Sequence, residues 1–198
     1  AAAAAAAAAA PATPAKEPAR ATAPVAPPEI IPASAILRRL ELSINRHPVF
    51  TLWASVCLYR AGYAWPSALS LASAAASMNA RSKGVAIGVY SKDSSAPALP
   101  LRAGEEETTP VEVLGRTVPA VLDTGTGVVL GVADGNVKGP SQVQDSLRRA
   151  FGAANFAQVH AALTLLASTL GSEFAAGREA YGIYERIRPE VASGREGW

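Results

Sequence analysis

The fold is decided by the stretch Val111-Glu-Val-Leu-Gly-Arg-Thr-Val-Pro-Ala-Val121. Its apolar residues of strand type lie on both sides of a glycine, which predicts two short strands that reverse direction near Gly115. A turn is predicted at Asp123-Thr-Gly-Thr-Gly127, and another strand at Val128-Val-Leu-Gly-Val132. Because connections this short leave no room for helical crossovers, we expect a small antiparallel sheet of three to four strands.

Helices are predicted before and after this sheet. The apolar spacing and the capping residues indicate helices that begin at Ser34, at Pro48 (ending at Gly62) and at Pro66, and later helices over residues 141–151, 155–171 and 172–188. Residues 84–90 form a short apolar run that predicts one further strand. The succession of helices, sheet and helices is typical of an α+β fold, and we expect one α+β domain over residues 33–198.

The apolar stripes of these elements predict which side chains form the core. The residues expected to be largely buried are Trp53, Cys57, Leu69, Ile87, Val121, Leu163, Leu166 and Tyr181.

Residues 1–32 differ from the rest of the chain. They contain 16 Ala and 7 Pro, with an unbroken alanine run over residues 1–10. A segment of this composition buries too little apolar surface to offset its ordering entropy, and its prolines favour extended chain. We therefore expect a low-complexity arm. The segment is poor in acidic residues, as organellar leaders are, so a transit-peptide remnant is the other interpretation.

Composition excludes several classes of function. The 198 residues carry 18 Lys and Arg against 16 Asp and Glu, and a net charge of +2 does not favour nucleic-acid binding. A single cysteine excludes an internal disulfide framework and a cysteine-based zinc site. The uncharged residues 61–80 are mostly Ala and Ser, which argues against a transmembrane segment. No cofactor is expected, and no residue is assigned a metal-binding role.

The motif Asp123-Thr124-Gly125 resembles the catalytic loop of aspartic proteases, which needs two carboxylates that share a proton. A chain with one such motif would have to dimerise to use it. Asp-Thr-Gly between two apolar runs is also ordinary hairpin sequence, and we expect a hairpin here. Asp123 is therefore kept as the candidate residue of an alternative function, a small hydrolase.

Two further alternatives rest on the predicted helices. Cys57 could act as a thiol nucleophile with His160, although a free cysteine on an apolar stripe is more often a small buried side chain. The aromatic residues Trp53, Tyr59, Tyr63 and Trp65 suggest a groove for a peptide or a pigment, or simply the core.

Three stretches together resemble a group of short uncharacterised proteins of bacterial type that have no assigned activity. The first runs from His47-Pro-Val-Phe-Thr-Leu-Trp53 to Ala80-Arg-Ser-Lys-Gly84, and the second is residues 111–121. The third is Tyr184-Glu-Arg-Ile-Arg-Pro-Glu-Val191 with Gly194-Arg-Glu-Gly-Trp198. The resemblance covers about residues 35–198 and implies no catalytic residue.

These observations together favour a non-catalytic accessory or structural subunit of a larger organellar protein complex. The expected location is a plastid in preference to a mitochondrion, either soluble or peripheral to a membrane complex. In this hypothesis residues 1–32 lie along neighbouring subunits and tether the domain to them, because polyproline-like chain follows a foreign surface at low entropic cost.

Overall fold

The architecture is α+β, as the sequence predicts. The computed structural model describes residues 45–91 and 108–189, and these ranges contain five α-helices and one four-stranded antiparallel sheet. The helices are α1 (Arg46–Arg60), α2 (Trp65–Ala86), α3 (Pro140–Phe151), α4 (Ala153–Ala167) and α5 (Arg178–Ile187). The strands are β1 (Thr109–Val113), β2 (Arg116–Asp123), β3 (Val128–Ala133) and β4 (Asn136–Val137). The arm of residues 1–32 and the helix predicted from Ser34 lie outside the described residues.

The sheet is a simple meander in the order β1-β2-β3-β4. Leu114 and Gly115 connect β1 to β2, and both have positive φ, at 50° and 76°. A two-residue turn of this kind matches the twist of the flanking strands, and glycine adopts the conformation without steric cost. The reversal predicted near Gly115 is therefore confirmed, with Val113 paired to Arg116 across the turn.

The backbone of helix α2 packs very closely against the backbone of β3. A Cβ atom on Gly131 would lie 2.9 Å from the Leu71 Cα and 2.8 Å from the Ala74 Cβ, so only glycine fits there. Two buried serines of α2 join the helix to the strand: Ser67 accepts a hydrogen bond from the Val129 N–H at 3.0 Å, and Ser70 accepts one from the Gly131 N–H at 2.9 Å. Small side chains on both elements thus allow the helix backbone to approach the sheet.

Helix α1 forms the centre of the core. Residues 49–58 are all buried, and Trp53 is fully buried with its indole N–H donating to the Ala180 carbonyl at 2.8 Å. The helix begins at Arg46, two residues before the predicted start at Pro48, and ends at Arg60, before Gly62, whose φ of +100° suits the end of a helix. The prediction of this second helix is confirmed.

The strand predicted over residues 84–90 is wrong. Helix α2 continues to Ala86, and the Val89 and Tyr90 N–H groups both donate to the Gly84 carbonyl, at 2.8 and 3.2 Å. Gly88 has φ of +75°, so the segment closes the helix as a C-terminal cap. An apolar run too short to show its period cannot distinguish a strand from the last turn of a helix.

The predicted core is largely correct. Trp53, Cys57, Leu69, Val121 and Leu163 are buried. Leu166 and Tyr181 are only partly buried at the edge of the core, and Ile87 is 45% exposed because it belongs to the turn after α2 rather than to a strand.

Several helix starts differ from the predictions. Gly139 rather than Ser141 precedes α3, and Gly152 rather than Asn155 precedes α4, in both cases without a side-chain capping bond. The predicted last helix is divided into a short 3-10 turn at Ser172–Phe174 and α5, because Gly177 interrupts it in an extended conformation.

Within the described ranges, no single helix is long and apolar enough to cross a membrane. Helices α3 and α4 are long and apolar enough only when taken together, and the chain bends by 104° between them.

Candidate functional site

Asp123 lies at the end of β2, where the chain turns into β3. Its carboxylate accepts hydrogen bonds from the Thr126 hydroxyl at 2.6 Å and from the Gly125 N–H at 3.1 Å. These bonds, the Thr126 hydroxyl first, lower the pKa of the Asp123 carboxyl. The residue therefore closes the β2–β3 hairpin at the protein surface, where a carboxylate that organises its own turn is ordinary. This is the hairpin that the sequence predicts.

Cys57 is fully buried on α1. Burial raises the pKa of its thiol well above the usual range, and the nearby Arg60 only partly opposes this. A thiol held protonated and out of contact with solvent is a poor nucleophile at neutral pH. His160 of α4 borders a surface groove whose lining does not include Cys57. The geometry thus favours a core side chain at Cys57 rather than a thiol–imidazole pair.

The predicted aromatic group is divided between the core and the surface. Trp53 belongs to the core, whereas Tyr59 is 59% exposed and meets Trp65 edge to face with ring centroids 5.9 Å apart. Trp65 also meets the His160 ring edge to face, with ring centroids 5.2 Å apart. The His160 ring in turn stacks on the Phe156 ring, with ring centroids 6.1 Å apart. A row of aromatic rings therefore runs from α1 across the start of α2 to α4.

The rings of Tyr59, Trp65 and His160 border a groove of about 340 Å³ between α1 and α4, which we call the Trp65 groove. It is lined by Val56, Tyr59, Arg60, Trp65, His160 and Thr164. Partial burial lowers the pKa of His160, so its imidazole is neutral at neutral pH. The lining is therefore mostly apolar and includes one guanidinium, that of Arg60.

Arg60 has one hydrogen bond within the described part of the chain. Its Nη2 donates to the Leu170 carbonyl at 2.9 Å, which ties the end of α1 to the segment after α4. Its Nε is buried and has no hydrogen-bond partner there. A buried donor without an acceptor costs free energy, so a group that enters the groove with a carbonyl or carboxylate oxygen would relieve that cost.

Helix α4 has no charged residue, yet much of it is exposed. Only Val159, Leu163 and Ala167 are buried, and Leu165 is 53% exposed. The helical period places four exposed residues on one side, which we call the α4 face: Ala154, Ala157, Ala161 and Leu165. Uncharged, mostly apolar helix surfaces are usually covered by other protein or by lipid.

Sequence reasoning suggested an aromatic groove that includes Tyr59 and Trp65, but it missed the contribution of α4 to that groove, and it missed the α4 face. The grouping of Trp65 with His160 requires the packing of α1 against α4, which no local pattern indicates. The α4 face had a detectable signal, because residues 153–167 lack any charge over four helical turns. In the ranges that the structure describes, no three His, Cys, Asp or Glu residues are placed to hold a metal ion.

No protein-family model, curated protein or solved structure matches this chain. The resemblance to short bacterial-type proteins stays a prediction.

Proposed function

We propose that this protein is a non-catalytic accessory subunit of a larger organellar assembly, in a plastid rather than a mitochondrion. The observation that carries the proposal is the α4 face, an uncharged helix surface with an exposed leucine. We propose that this surface packs against an apolar helix of another subunit. The arm of residues 1–32 then acts as a second, extended contact, as its composition suggests.

The chemistry of the α4 face supports a protein partner. Covering it removes no charged group from water, so its burial carries little desolvation penalty. Its alanines allow a second helix to approach closely, and Leu165 supplies a side chain that such a helix can enclose. Depletion of charge at the centre is the compositional mark of protein–protein interfaces.

The neighbouring Trp65 groove supports the same partner. Tyrosine and tryptophan are among the residues that most often carry binding free energy at interfaces, and Tyr59 and Trp65 line the groove together with Thr164 of α4. The Arg60 Nε has no hydrogen-bond acceptor among the described residues, so it is a donor that an oxygen of the partner subunit would satisfy. A helix end, with its free carbonyl groups, has the acceptors that this donor needs.

A photo-cross-linking amino acid at Leu165 tests this surface. In extracts of the source cells, we expect the variant to form a covalent adduct with one defined subunit, identified by mass spectrometry. Leu122 is the matched control, because it is also an exposed leucine, at 41%, but lies on β2. Adducts at Leu122 equal to those at Leu165, or none at Leu165, would contradict the proposal.

A peptide- or pigment-binding module is the second candidate, and the aromatic lining of the Trp65 groove is what favours it. A pigment would give the protein purified from its source a visible absorption band that disappears in Trp65→Ala. A colourless protein that still forms the Leu165 adduct would favour the accessory subunit.

A further inference from the structure

A second cleft, of about 300 Å³, lies where the β1–β2 turn meets the start of α5. Its polar lining comes from Asn79 of α2, Arg116 of β2, and Arg178 and Tyr181 of α5. It shares no lining residue with the Trp65 groove. Among the described residues, the cleft is therefore a separate feature of the protein surface.

The β1–β2 turn is shaped to fit against α5. Gly115 has φ of +76°, and a Cβ atom there would lie 2.7 Å from the Arg178 Cγ. The absence of a side chain lets the Arg178 stem pass directly over the turn. The turn and the helix thereby hold Arg116 and Arg178 on the walls of the same cleft.

The charge of the cleft is positive. Among the residues that the structure describes, two arginines line it, and no Asp or Glu does. Arg116 pairs with the buried Val113 and so extends along the inner face of the sheet, whereas Glu112 pairs with Thr117 on the opposite face. Within residues 45–91 and 108–189, neither guanidinium forms an ion pair.

One nitrogen of the Arg116 guanidinium has no hydrogen-bond acceptor among the described residues. Its Nη2 donates to the Ser82 hydroxyl at 3.3 Å, but its Nη1 is buried and has no hydrogen-bond partner in the described part of the chain. A guanidinium group is always charged and presents its donors in a planar fork. Burying one of these donors without an acceptor is unfavourable, and an oxyanion in the cleft that Arg116 lines would provide one if the guanidinium turned towards it.

We propose that this cleft binds a small oxyanion, a phosphate monoester or a carboxylate, that carries an apolar group. Arg116 and Arg178 would bind the anionic oxygens, and the Asn79 amide and Tyr181 hydroxyl provide further donors. Phe50 and Val113 form the apolar part of the wall and would contact the remainder of the ligand. The volume fits a molecule the size of a single substituted ring.

Titration of the full chain with phenyl phosphate and with benzoate, at constant ionic strength, tests the proposal. We expect saturable binding of at least one probe by calorimetry, with the largest amide shifts in the NMR spectrum at Gly115 and Arg178. Binding of phenyl phosphate alone identifies a phosphate site, and binding of benzoate alone identifies a carboxylate site. The proposal would be overturned if neither probe showed saturable binding.

Arg116→Gln and Arg178→Gln should each weaken binding about tenfold or more, since each removes a charge-assisted hydrogen bond. Arg148→Gln is the control, because Arg148 is an exposed arginine on α3 that does not line the cleft. Equal weakening by all three substitutions would indicate nonspecific charge attraction and overturn the proposal, as would unchanged binding in either cleft variant. If Arg116→Gln does not fold, the shift map of the unmodified protein and Arg178→Gln decide the question.

Discussion

Trp53→Ala is expected to lower the free energy of unfolding by about 3–5 kcal/mol, which is the usual cost of removing a large buried aromatic side chain. Trp53 is fully buried on α1, and its indole N–H reaches the Ala180 carbonyl on α5 at 2.8 Å. The substitution therefore leaves a cavity and also removes a bond between two helices that are distant in the sequence. Chemical denaturation followed by circular dichroism measures the effect.

Trp65→Ala is the control for this measurement. Trp65 is the same residue type, but it is only partly buried and lies at the groove between α1 and α4. We expect a smaller loss of stability, because water can occupy the space that the ring leaves. If Trp53→Ala cost no more than Trp65→Ala, the position of α1 at the centre of the core would be wrong.

Gly131→Ala is expected to destabilise the protein by about 3 kcal/mol, at the upper end of the usual cost of overpacking. The added methyl group would lie 2.9 Å from both the Leu71 Cα and the Ser70 carbonyl oxygen. Both are backbone atoms of α2, so the helix would have to move away from β3. That movement would also lengthen the hydrogen bond from the Gly131 N–H to the Ser70 hydroxyl.

Gly182→Ala provides the matched control. Gly182 lies within α5, and apart from its chain neighbours and the backbone of its own helix, no described atom would lie within 4 Å of a Cβ atom there. Alanine favours helix over glycine by up to about 1 kcal/mol, so this variant should be more stable than the parent protein. Equal effects of the two substitutions would contradict the close contact between α2 and β3.

The sequence predicts the sheet well because its signals are local. Leu114-Gly115 reverses the chain within two residues, and the Asp123 turn is closed by hydrogen bonds to residues two and three positions ahead. A local pattern gives the wrong prediction for residues 84–90, because this apolar run forms the end of a helix and not a strand. Such a run forms a strand only where another strand lies beside it, and that depends on the whole fold.

The surfaces that carry the proposals depend on tertiary packing. Arg116 and Arg178 are far apart in the sequence, and they share a cleft only because Gly115 lets the β1–β2 turn lie against α5. Trp65 and His160 likewise meet only because α1 and the start of α2 pack against α4. The sequence shows that α4 has no charged residue, but it does not show that much of the helix is exposed.

The native size of the protein in an extract of its source cells tests the central claim most directly. We predict that the full chain sediments as part of an assembly far larger than 198 residues, and that it loses this association when residues 1–32 are removed or Leu165 is replaced by glutamate. Both variants should keep the melting temperature of the parent domain, since Leu165 is exposed and the arm carries no periodic apolar stripe. A parent protein that sediments as a free monomer would contradict the account.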